Sequence, residues 1–281
     1  MSIAAELVAA LQARFERAAA PLVDALHLPP PATAGKAGEF GALELADGAL
    51  GLTYVVLDGL LARLPGLRLD SLEGAGALSI ARWAQEDDDA RRTLGFAAIN
   101  ALTRTLFDRA GYVPPTARDS LGGLAPQRGD HVGMIGLFPT LVRPLLASGA
   151  RLTVIELRPD LAGERDDYRV TLDAGELAYC NKVLSTSTVL LNGTLDRMLD
   201  LCRSASRFDL IGPSAGCLPE PLFSRGVTSI GGTWIEDREG FKTALAHGAN
   251  WGGCVRKFVI ERRNYAGIDA DFRDRGKRTS R

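Results

Sequence analysis

Val132-Gly-Met-Ile-Gly136-Leu-Phe-Pro139 decides the fold. An apolar run makes a buried strand and Gly136 turns the chain. Pro139 opens a helix, where its missing N–H is harmless in the first turn. The design returns twice: Val183–Thr186 runs into Ser187-Thr-Val-Leu-Leu-Asn-Gly-Thr194, and Phe208–Ile211 into Gly212-Pro-Ser-Ala-Gly-Cys-Leu-Pro219. Repeated strand–turn–helix units build a parallel sheet with helices on both faces. Their turns fall at the carboxyl edge, where small ligands bind in open α/β sheets.

Outward from these turns, the same reading predicts strands at His131–Ile135, Arg151–Glu156, Thr228–Ile230 and Lys257–Glu261. Helices are predicted near Thr140–Ser148, Ala174–Lys182, Leu195–Ser204, Pro219–Arg225 and Arg238–His247. The first half reads differently. Residues 3–19 carry Leu7, Leu11 and Phe15 at helical spacing. After a Pro/Ala/Gly break ending at Gly38, Ala46-Asp47-Gly48 between Phe40–Leu45 and Leu50–Leu57 signals a hairpin. Helical segments follow at Gly59–Leu64, Ala75–Gln85 and Asp87–Arg109, the last opening on aspartates that suit a helix N-terminus. Tyr112–Gly129, with three prolines, reads as a linker. The expected architecture is α/β: a Rossmann-like parallel-sheet domain over residues 116–265, a small α+β domain over 1–115 before it, and a charged tail over 266–281.

Bulk composition narrows the function. The 281 residues are 46% apolar, enough for a proper core. Lys and Arg number 33 against 34 Asp and Glu, which argues against a nucleic-acid partner. No apolar run reaches the roughly 18 residues of a membrane span. Glu6 interrupts the N-terminal apolar stretch, so no signal peptide is read there and a cytoplasmic location is expected. Cys180, Cys202, Cys217 and Cys254 show no CxxC spacing, and the three histidines are scattered. The thiols are expected to be free and mainly buried. Oligomeric state is left open, a homodimer included.

The three turns supply the candidate ligand-binding residues. From the first come Gly136 and Phe138, with Glu156 twenty residues after the glycine, where dinucleotide folds place an acid on a ribose hydroxyl. The GxGxxG spacing is nevertheless absent. The second turn offers Thr186, Ser187, Thr188, Asn192 and Thr194, residue types that cap a helix or bind an anion at its start. From the third come Gly212, Pro213 and Ser214, with Gly232 closing a later strand. Gly212-Pro-Ser-Ala-Gly216 also spells GxSxG, and Asp237 and His247 follow in hydrolase order. Trp234 is read either as a stacking face for a flat ligand or as a contact between domains. Glu236 and Asp237 are read as a helix start, with metal ligation as the other use.

These segments, with Ile155-Glu-Leu-Arg-Pro159 and Pro221-Leu-Phe-Ser-Arg-Gly226, resemble the putative heavy-metal chelation family, formerly a domain of unknown function, over about residues 130–250. Gly95-Phe-Ala-Ala-Ile-Asn-Ala101 resembles a helix of its usual N-terminal partner, a domain similar to the N-terminal domain of enolase. The resemblance implies a cleft between the two domains and a metal-related role. A soft metal favours thiolate or imidazole clusters, and the turns offer mainly hydroxyls, one amide and backbone groups. Glu156 and Cys217 are the metal candidates. The expected ligand is therefore a metal ion, a metal held by an organic chelator, or a polar heteroaromatic such as a pterin or nucleotide. The alternatives are an enzyme using a nucleotide or S-adenosyl cofactor, and a serine hydrolase.

Overall fold

The computed structural model describes residues 1–16, 18–30, 39–56, 60–64, 72–119, 121 and 123–268. The chain opens on helix α1 (Ile3–Phe15), whose N-cap Ser2 accepts from the Ala5 N–H at 3.3 Å. Strands β1 (Val23–His27), β2 (Phe40–Leu45) and β3 (Leu50–Tyr54) form an antiparallel sheet in that order. The Asp-Gly hairpin forms as predicted, with Asp47 accepting from the Ala49 N–H at 3.1 Å. After α2 (Leu60–Arg63), α3 (Ala77–Ala81) runs into a 3-10 turn over Arg82–Gln85. Helix α4 (Asp89–Ala110) starts on Asp88, which accepts from the Arg91 N–H at 2.8 Å, and stops at left-handed Gly111. It presses directly on β3: a Cβ on Gly51 would lie 2.1 Å from the Ala97 carbonyl oxygen.

The second half alternates strands and helices. Its elements are β4 (His131–Ile135), α5 (Pro139–Ala147), β5 (Arg151–Ile155), β6 (Gly163–Glu164), β7 (Tyr168–Thr171) and β8 (Lys182–Thr186). There follow α6 (Thr188–Leu191), α7 (Leu195–Leu201), β9 (Arg207–Ile211), α8 (Pro219–Ser224), β10 (Ser229–Ile235), α9 (Arg238–Ala246) and β11 (Val255–Glu261). The eight-stranded sheet has the order β11-β10-β9-β8-β4-β5-β7-β6. Its six inner strands are parallel, and β11 and β6 close the edges antiparallel. Apolar side chains leave both faces. Val132, Met134 and Leu152 pack with Leu141 and Leu145 of α5 on one face, and Val183, Phe208 and Ile230 join the core beneath α4 and α8 on the other.

Four expectations need correction. Strand β1 and the β6–β7 hairpin were not predicted; both are short and carry charged or polar residues that hide the alternation. The helix expected over Ala174–Lys182 is a 3-10 turn ending at Tyr179, and Lys182 already belongs to β8. Gly231-Gly232 does not close a strand but lies inside β10, which runs on to Ile235. The Phe258 ring covers Gly232, where a Cβ would meet it at 2.5 Å, and a Cβ on Gly231 would meet the Ile211 side chain at 3.2 Å. The break around residues 31–38, Gly59 and the tail from residue 269 lie outside the described residues.

One apolar core runs through both halves, from Leu7 and Leu11 of α1 through Phe96 and Ile99 of α4 to Leu210, Leu222 and Ile260. Asn100 of α4 is the polar rivet within it, donating from Nδ2 to the Leu52 carbonyl at 2.8 Å and the Ser214 carbonyl at 2.9 Å. At the surface, Arg225 joins Glu6 of α1 to Asp196 of α7 at 2.7 and 2.6 Å. The segment after α4 crosses back along β11, where Val259 N–H donates to the Pro115 carbonyl at 3.0 Å.

Candidate functional site

Sheet order reverses between β4 and β8: from β4 the chain proceeds outward to β5, and from β8 to β9 on the other side. Such a switch point leaves a crevice above the strand ends. Three turns line it. After β4, Gly136 adopts φ 80° and donates to the Ile155 carbonyl at 2.8 Å. Glu156 braces that turn, accepting from the Leu137 N–H at 3.0 Å with Oε2 and from the Leu157 N–H at 2.8 Å with Oε1. After β8, the Thr186 and Thr188 hydroxyls meet at 3.0 Å and the Ser187 N–H donates to the Ile211 carbonyl at 2.7 Å. After β9, Gly212 sits at φ 138° and donates to the Gly231 carbonyl at 2.9 Å. Any side chain there would meet Ser187, whose Oγ lies 2.3 Å from the position of a Cβ.

Together the turns border a cleft of about 650 Å³. Of the twelve predicted ligand-binding residues, Gly136, Phe138, Glu156, Thr186, Ser187, Thr188, Asn192, Gly212, Pro213 and Ser214 line it. Thr194 does not; its hydroxyl and N–H donate to Asn192 Oδ1 at 2.7 and 3.2 Å and fix that side chain. Gly232 lies beyond Pro213, in a neighbouring chamber. The opposite wall comes from the first half of the chain: Glu39, Phe40, Tyr54, Val56 and Asp89. These residues escaped sequence reasoning because only tertiary packing brings β3 and the start of α4 over the sheet edge. Arg158 and Leu161, after β5, complete the rim.

The charge balance of the cleft is acidic. Asp89 is paired with Arg92 at 3.0 Å, while Glu39 and Glu156 have no ion pair among the described residues. Arg158, the one cation lining the cleft among the described residues, is bound to Asp160 at 2.5 Å. Burial pushes the Tyr54 phenol above its ordinary range, and the nearby Glu39 carboxylate adds to the shift. The site therefore presents hydroxyls, an amide and carboxylates, with no uncompensated positive charge among the described residues to attract an anion.

The GxSxG serine is not joined to a histidine, and the two metal candidates, Glu156 and Cys217, are not brought together at the cleft. Ser214 is fully buried and its Oγ accepts from the Tyr54 N–H at 3.0 Å. The histidines are engaged elsewhere: His27 with Glu44 at 2.7 Å, His131 with Thr153 at 2.9 Å, His247 with the Thr243 carbonyl at 2.8 Å. A serine nucleophile needs a base in reach, and no histidine is bonded to Ser214. Asp237 instead caps α9, accepting from the Gly240 N–H at 2.9 Å, and Glu236 pairs with Arg256 at 3.0 Å. Cys217 is buried in the core away from Glu156, and burial pushes its thiol up to about 12. Cys180 and Cys202 are pushed up to about 11 and about 12 for the same reason. Among the described residues no group of three or more His, Cys, Asp or Glu side chains could hold a metal ion. Trp234 packs against α4, with the Arg104 guanidinium 3.7 Å from its ring centroid.

Comparison with known proteins agrees with this architecture. A family model described as "Putative heavy-metal chelation" matches residues 123–264, and a second of the same description matches residues 39–103. An uncharacterised protein of Methanocaldococcus jannaschii is 31% identical over 189 residues, covering 63% of this chain and 69% of its own. The crystal structure of a protein of unknown function from Desulfitobacterium hafniense, in the family of the first match, superposes with a TM-score of 0.69. It is 25% identical and covers 92% of this chain and 97% of its own. A second family member, from Pyrococcus horikoshii, has the same fold at 22% identity, with a TM-score of 0.65 and coverage of 92% and 99%. Among the described residues no helix is long and apolar enough to cross a membrane.

Proposed function

The chain belongs to the putative heavy-metal chelation family, and from its cleft we propose that it binds a metal already held by a small organic chelator. The observation that carries this reading is a mismatch of donors. A bare soft ion is held by a cluster of thiolate, imidazole or carboxylate ligands, and among the described residues no group of three or more His, Cys, Asp or Glu side chains could hold one. Cys180, Cys202 and Cys217 are buried as thiols, with Cys217 in the core rather than at the cleft. A chelate brings its own coordination sphere and asks of the protein only shape, hydrogen bonds and charge. A volume of about 650 Å³ lies within the range of small-molecule sites. The Thr186, Thr188 and Asn192 side chains would bond the chelator's polar edge, Tyr54 and Phe138 would flank its faces, and Glu39 and Glu156 would favour a cationic complex.

A nucleotide or S-adenosyl enzyme is the weaker reading. Both Glu156 oxygens already brace the Gly136 turn, and Phe138-Pro139 occupies the space that a phosphate-binding glycine would leave open. Titration calorimetry with nickel(II)–phenanthroline and with nickel(II) chloride separates the proposal from direct chelation. Saturable binding of the complex is expected, with the bare ion at least about tenfold weaker. Asn192→Ala and Glu156→Gln should each weaken the complex about fivefold or more without lowering the melting temperature by more than a few degrees. Equal or tighter binding of the bare ion would refute the proposal.

A further inference from the structure

Phe138, Gly212 and Pro213 form a shared wall: the cleft lies on one side and a second chamber of about 250 Å³ on the other. That chamber is apolar within, between Leu141, Ile211 and Phe258, over a floor of Gly231 and Gly232. Two polar groups give it a chemistry. The first is backbone. The β9–β10 ladder ends at Ile211 opposite Gly231, whose carbonyl accepts from Gly212. Peptide groups alternate sides along a strand, so Thr233 presents its N–H to the side where β9 has stopped. Strand β11 does not use it: Lys257, opposite Thr233, turns its carbonyl outward to the Ala117 N–H at 3.0 Å. On the β9 side the pairing that would supply an acceptor for the Thr233 N–H has ended at Ile211. The second group is the Lys257 ammonium, which lines the chamber and makes no ion pair with any described residue. Asp119, at the same chamber, accepts from the Leu121 N–H at 2.8 Å with one carboxylate oxygen.

We propose that this chamber binds a small apolar monocarboxylate. Its body lies among Phe138, Ile211 and Phe258, and its carboxylate takes the Lys257 ammonium and the Thr233 N–H. A strand N–H and a cation together make a charge-assisted carboxylate site. Asp119 at the same rim repels a second negative charge, which limits the ligand to one carboxylate. The inference stands apart from the reading of the main cleft, because Lys257 and Thr233 are not part of that cleft.

The test is a fluorescence titration of the full chain with 2-naphthoate, against 2-naphthylmethylammonium, which has the same rings and the opposite charge. One saturable naphthoate site is expected, with the ammonium compound at least about tenfold weaker. Lys257→Glu should weaken naphthoate at least about tenfold and Lys257→Arg should retain it. Lys257 is exposed, so neither change threatens the fold. Glu156→Gln, which alters the main cleft, should leave naphthoate binding unchanged. Equal binding of the two probes, or unaltered naphthoate affinity in Lys257→Glu, would overturn the assignment.

Discussion

Gly212 shows how much one residue can decide. Its φ of 138° and the 2.3 Å that would separate a Cβ from Ser187 Oγ leave no room for any side chain. Without that close approach the turns after β8 and β9 could not share one wall. The glycine was legible in the sequence as a turn residue, but its neighbour was not, because Ser187 is 25 residues away along the chain. The cysteines were legible as mainly buried thiols, and the structure adds the consequence. Thiolate is the reactive form, and burial holds Cys180, Cys202 and Cys217 at about 11 to 12. In native protein at neutral pH, a maleimide is expected to label Cys254, which is partly exposed, and no other cysteine. Intact mass spectrometry should show one adduct, and four after denaturation. Rapid native labelling of Cys217 would place it where a metal could reach it and reopen direct ligation.

At the scale of elements, a buried ion cluster holds the first sheet against α9. Glu44 of β2 lies 2.7 Å from His27 of β1 and 3.0 Å from Lys242 of α9. Burial alone would raise its carboxyl, but hydrogen bonds from His27 and Lys242 outweigh this and hold it below the usual range. A carboxylate with a depressed folded-state value contributes stability above its unfolded value, near pH 4.5. That contribution disappears as pH falls through the lower folded value. Glu44→Gln should therefore cost about 1–2 kcal/mol at pH 7, and the gap in melting temperature should narrow as pH drops below about 4. A gap that stays constant with pH would mean the charge of Glu44 contributes nothing to docking.

The same scale shows where the sequence was readable. The parallel strands β4, β5, β8 and β9 match their predicted bounds within one residue, because they are buried on both faces and read as plain apolar runs. Strand β10 was cut short at Ile230 because a Gly-Gly pair resembles a turn, until the Phe258 ring over Gly232 is seen. Edge elements such as β1 and β6 have one covered side and polar residues, so the pattern that marks a strand is missing.

Over the whole molecule, a sheet edge is closed by a second unit that α4 fixes in place. Asn100 bonds carbonyls from both halves, and Arg104 reaches the Ile235 carbonyl at 3.0 Å while stacking on Trp234. The wall supplied by Tyr54, Glu39 and Asp89 therefore has a fixed position over the three turns. Sequence reading located one side of this site, since strand–turn–helix repeats announce a carboxyl edge. The facing side has no local signature, as it depends on how two units dock. The central claim is that this composite cleft receives a metal whose ligands come mainly from an organic molecule. The most direct measurement is a nickel anomalous difference map from crystals soaked in nickel(II)–phenanthroline. The expected result is one strong peak between Tyr54, Phe138 and Asn192, with phenanthroline density around it and no protein sulfur or imidazole in its coordination sphere. A peak coordinated by cysteine or histidine side chains, or lying outside the cleft, would contradict the account.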